Sequence, residues 1–102
     1  MTSVRNRSPL KHLGTLHGSG SLSIGNGEQR LGLVRYEIDG YLERTMRSAN
    51  GQIEGEIAVL EQAFRAGAAC IALEGGSSID VVLSDPRGGP TAEIVVSGRF
   101  PL

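Results

Sequence analysis

The hexapeptide Val34-Arg35-Tyr36-Glu37-Ile38-Asp39 alternates apolar and charged side chains without a break. A period of two is the signature of a β-strand with one buried face and one wet face. Strands of a parallel nucleotide-binding sheet are covered on both sides and read as continuous apolar runs. The alternation therefore predicts an antiparallel sheet that is half open to water. A slip of one residue would turn Val34, Tyr36 and Ile38 outward, so the pairing of this strand is tightly constrained.

The material for the buried face is aliphatic. Tyr36, Tyr41, Phe64 and Phe100 are the only aromatic residues among 102. That length suits one domain, and a domain of this size can bury a modest core without covalent staples. The 15 glycines are about twice the usual share of roughly 7%. They cluster between apolar runs and follow no fixed period, so they mark turns and bulges and exclude collagen.

Residues 1–11 are polar and basic with Pro9 near the end, and they predict a flexible basic arm. Residues 12–102 form a single β-rich domain. The first strand is expected from His12 to Ile24, with bends or bulges at Gly14, Gly18 and Gly20. Gly25-Asn26-Gly27 is a turn, and a second strand runs from Leu31 to Leu42.

A hairpin turn at Asp39-Gly40 would drive Glu43 onto the apolar face. A turn at Glu43-Arg44 avoids this. It pairs Ile38 with Ala49 and Val34 with Ile53, and puts Gly51 opposite Tyr36, a large ring over a glycine. The third strand is then Thr45 to Glu54, with a bulge expected at Asn50-Gly51.

From 56 to 66 the period changes. Ile57, Leu60 and Phe64 share one helical face, with Val59 on the far side. Arg65 near the end and Gly67 just beyond suit a helix C-terminus. Three further strands follow, Ala68–Leu73, Ile79–Ser84 and Thr91–Arg99, joined by connectors dense in turn residues. Short connectors make neighbours antiparallel. The fold class is mainly β: a six-stranded antiparallel small barrel or curled sheet, β-β-β-α-β-β-β, with one amphipathic helix at 56–66.

Charge limits the partners. Residues 1–27 carry Arg5, Arg7 and Lys11 and no carboxylate, whereas residues 28–102 hold seven cations against eleven carboxylates. An acidic body argues against nucleic acid, which demands a positive field. A nucleic-acid-binding module using the basic arm is the first alternative. No apolar run reaches the roughly 20 residues that span a bilayer, and no apolar segment follows the N-terminal basic residues as in a signal peptide. Cys70, the lone cysteine, allows no intramolecular disulfide, which fits the cytoplasm.

No catalytic, metal or cofactor constellation stands out. His12 and His17, five apart on a strand, are expected on opposite faces. Cys70 lies in the small apolar run Ala68–Leu73 and reads as a core residue. Gly18-Ser19-Gly20-Ser21 lacks the helix behind it that a phosphate loop needs. Glu37 and Asp39 share a wet strand face, where carboxylates belong. The sequence thus points to a non-enzymatic binding or structural module that self-associates through an open sheet edge. A small-molecule-binding barrel or enzyme is the remaining alternative, with Arg35, Tyr36, Tyr41 and Arg47 as polar anchors at the barrel mouth.

Overall fold

The computed structural model describes residues 10–102. The sequence-predicted arm at 1–11 therefore lies almost wholly outside the described residues, and Lys11 already belongs to a strand. Six strands and one helix follow in the expected order: β1 (Lys11–Ile24), β2 (Gln29–Glu43), β3 (Met46–Glu54), α1 (Ile57–Ala66), β4 (Ala69–Ala72), β5 (Ser78–Leu83) and β6 (Thr91–Ser97). They close into an antiparallel barrel in the order β1-β2-β3-β6-β5-β4, with β4 returning to β1. No helix among the described residues is long and apolar enough to cross a membrane.

The alternation at 34–39 sets the wall. Val34, Tyr36 and Ile38 are buried, while Arg35 and Glu37 are exposed and Asp39 is half-exposed. The same inward parity continues through Ala49 and Ile53 of β3, Ile79 and Val81 of β5, and Ala92 and Ile94 of β6. All side chains buried among the described residues are apolar. Burying each Ile, Leu or Val contributes about 1.5–3 kcal/mol, so the filled interior is the main source of stability.

The β2–β3 hairpin turns at Arg44-Thr45, one residue later than expected from sequence, with Arg44 at φ 58°. The register shifts by two, which preserves every face. Gly51 therefore lies opposite Ile38, and Ile53 opposite Tyr36. The expected bulge at Asn50-Gly51 is absent, because both residues sit in a regular ladder. Gly51 has a different task. A Cβ there would run into the Glu37 carbonyl oxygen and lie 2.7 Å from the Ile38 Cα, so glycine allows the two backbones to approach. The bulges fall instead at Leu13 in β1 and Leu31 in β2.

The helix spans nearly the expected residues but is rotated. Val59, Leu60 and Ala63 are buried, whereas Ile57 and Phe64 are exposed. The small Ala63 lets α1 settle across one end of the barrel, where it touches β1, β2, β4, β5 and β6. Val59 packs over Gly32, in the space a Cβ would need. Gly67 ends the helix at φ 87°, its N–H donating to the Phe64 carbonyl.

Gly51→Ala should lower the free energy of unfolding by roughly 1–3 kcal/mol, as overpacking does. Gly75→Ala, with open space around it, should change it by less than about 0.5 kcal/mol. Urea unfolding of both variants checks this.

Candidate functional site

The strands β1, β2 and β3 run past the barrel. β1 pairs with β4 only across Ser21–Ser23, and β3 pairs with β6 only from Asn50 onward. The segments Lys11–Gly20 and Met46–Ala49 therefore have β2 on one side and no strand on the other among the described residues. Phe100 and Leu102 lie against the inner face of this extension, over Gly40.

Its outer face carries polar side chains in cross-strand rows. Thr15, Asp39 and Asn50 form one, and His17, Glu37, Gln52 and Glu93 the next. Ser19, Arg35, Glu54 and Thr91 form the third. A groove of about 510 Å³ runs beside the second and third rows, and a neighbouring one of about 480 Å³ extends past Glu93 to Val95. Val95 and its partner Val82 are exposed apolar side chains on this wall.

His12 and His17 both face outward, contrary to the opposite faces expected from their spacing. The bulge at Leu13 adds a residue between them and resets the parity of the strand. His12 thereby reaches Asp39. Its Nε2 donates to Asp39 Oδ1 at 3.0 Å, and the Thr15 hydroxyl donates to the same oxygen at 2.6 Å. These bonds, the Thr15 hydroxyl first and then the imidazole, hold the Asp39 carboxyl below its ordinary value, and the charge of His12 adds to the effect.

The trio lacks the wiring of a nucleophilic site. Such a site needs the hydroxyl proton taken by the imidazole, with the carboxylate on the far ring nitrogen. Here the hydroxyl and Nε2 both donate to one carboxylate oxygen and lie 3.5 Å from each other, so the carboxylate sits on the ring nitrogen that faces the hydroxyl and not on the far one. The arrangement fastens β1 to β2 at the far end of the hairpin.

Of the four sequence-selected residues, Arg35 and Tyr36 line the groove of about 510 Å³, and Tyr41 and Arg47 lie outside it. Tyr36 points inward and is buried, while Arg35 next to it points out. Arg47 lies opposite Leu42, seven residues along β2 from Arg35, or about 23 Å at strand spacing. Its guanidinium sits 5.3 Å from the centre of the Phe100 ring. Tyr41 packs its ring against His12 at 5.5 Å. Cys70, expected in the core, is half-buried on the outer side of β4, because Ala69 and Ile71 take the inward positions. No group of three or more His, Cys, Asp or Glu side chains that could hold a metal ion occurs among the described residues.

A residue that the sequence did not single out does the most at the seam. Glu74 Oε2 accepts the Ser19 backbone N–H at 2.8 Å, and the Glu74 N–H donates to the Tyr36 hydroxyl at 3.0 Å. The carboxylate thus stands where a β4 carbonyl would be had that strand continued. In the sequence Glu74 opens a glycine- and serine-rich turn, and nothing there signals this contact.

Comparison with protein-family models, with curated proteins and with solved structures gives no match.

The lowered Asp39 value has a definite sign. A carboxylate favoured in the folded state stabilises above the unfolded-state value, and the contribution fades as pH falls through the folded value. Asp39→Asn should therefore reduce the loss of melting temperature between neutral pH and pH below about 4, with a small effect because the carboxyl is open to solvent. Paired thermal melts at the two pH values check it.

Proposed function

We propose that this chain is a non-enzymatic interaction module that associates with a second copy of itself along the open edge of β1. One observation carries this reading: the Ser19 N–H points away from β2 to Glu74. Outward amides recur at every second residue of a strand, so those of His17 and Thr15 face the same way. Ser21 and Ser23 continue the series into β4. Past the seam the series has no strand to meet among the described residues, and a row of backbone donors and acceptors is a template for another strand.

A second copy is the occupant that fits with least adjustment. An antiparallel strand pairs with its own image about a two-fold axis, and both edges are satisfied at once. The outcome is one sheet continuous across two three-stranded extensions.

Other features favour action at the surface. The interior is filled by Leu22, Ile38, Ile53, Leu60, Ile71 and Ile94, and α1 crosses one barrel end. Of the four polar anchors a ligand at the mouth would use, only Arg35 and Tyr36 share a groove, and that groove lies on the open wall. Nucleic acid through the arm rests on Arg5 and Arg7, outside the described residues, and on Lys11 at the start of β1. The outer wall presents Glu37, Glu54 and Glu93, which a phosphate backbone would avoid. The single cysteine is compatible with a reducing compartment, and the reading puts the module in the cytoplasm.

Sedimentation over a range of chain concentrations tests this. The wild type should sediment as a reversible dimer. His17→Pro removes one outward N–H at a position where an edge strand tolerates proline, and should sediment as a folded monomer. His17→Ala keeps the amide and should still dimerise. A wild type that stays monomeric up to millimolar concentration, or a His17→Pro variant that still dimerises, overturns the reading.

A further inference from the structure

The dipeptide Asn-Gly occurs twice, at Asn26-Gly27 and at Asn50-Gly51. The fold treats the two copies in opposite ways. Asn26 is exposed in the β1–β2 turn at φ 58°, with Gly25 at φ 65° and Gly27 at φ 89° on either side. Nothing lies within 4 Å of where a Gly27 side chain would begin. The backbone bond of this turn runs from the Glu28 N–H to the Gly25 carbonyl at 3.1 Å and does not use the Gly27 amide. Asn50 sits in the middle of β3, paired with Asp39 on one side and Val95 on the other. Gly51 behind it is pressed against the Glu37 carbonyl.

We propose that Asn26 is a site of spontaneous amide-to-acid conversion and that Asn50 is a protected copy of the same dipeptide. The Gly27 nitrogen attacks the Asn26 side-chain carbonyl carbon and gives up its proton. A new C–N bond forms, the bond to the side-chain nitrogen breaks, and ammonia leaves. The product is a five-membered cyclic imide. Water then adds to either imide carbonyl and opens the ring, leaving an aspartate joined through its α- or its β-carboxyl. The electron count is unchanged, and water is the only co-reactant.

The attack needs a Gly27 nitrogen without a hydrogen-bond partner and a rotation of the backbone between the two residues. Glycine on both sides of Asn26 makes that rotation cheap. At Asn50 the same rotation would break ladders on two sides, and glycine's lack of a side chain gives no help because the space is already taken. The β-linked product adds a backbone atom between Ile24 and Gln29, the first pair of the hairpin, and puts a negative charge at its tip.

Peptide mapping by mass spectrometry tests the inference, after incubation of the intact chain in mildly alkaline buffer. In the folded chain, conversion at Asn26 should outpace that at Asn50 by on the order of tenfold or more, a barrier difference of about 1.4 kcal/mol. In concentrated urea the two sites should convert at similar rates, since the dipeptide is the same. Equal rates in the folded chain, faster conversion at Asn50, or no conversion at Asn26 while the urea sample converts would each overturn it.

Discussion

The inward row of β2 holds this molecule together. Val34, Tyr36 and Ile38 point into the barrel from the strand that pairs with β1 over thirteen positions and with β3 over nine. Removing that row from water contributes several kcal/mol on its own. It also fixes the faces of both neighbours, since a pleated ladder allows no independent choice. The shift of the β2–β3 turn by one residue, and of the register by two, left every buried side chain on its expected face.

Closure is the weaker part of the design. The seam between β1 and β4 has three residue pairs, against thirteen between β1 and β2. Tyr36 and Glu74 extend it with side-chain bonds, so one residue of the inward row serves the core and the seam together. Beyond Glu74 the wall ends, and among the described residues β1 continues with β2 alone. The same geometry that closes the barrel therefore exposes an edge, and the proposed self-association follows from that mismatch of strand lengths.

Much of this was legible in the chain. The alternation at 34–39, the Gly25-Asn26-Gly27 turn, the helix ending before Gly67 and the order of elements all rest on local chemistry. What escaped depends on contacts between distant residues. The bulge at Leu13 brought His12 onto the face of Asp39, which spacing along one strand cannot reveal. The helix turned Val59 inward and left Phe64 exposed because the barrel end offered the gap above Gly32. Cys70 lay outside because Ile71 had to lie inside, and a short apolar run does not show its own parity. Of the polar anchors expected at a barrel mouth, Tyr36 went to the core and the others spread along 23 Å or so of strand.

Thiol accessibility along β2 tests the account most directly. In a Cys70→Ser background, cysteines placed one at a time at Arg35 and Glu37 should react with a thiol reagent at nearly the rate of an unfolded peptide. Cysteines placed at Val34 and Ile38 should react only as fast as the barrel opens. Equal reactivity at all four positions, or protection at Arg35 and Glu37 with rapid reaction at Val34 and Ile38, would contradict the two-faced strand on which the fold is built.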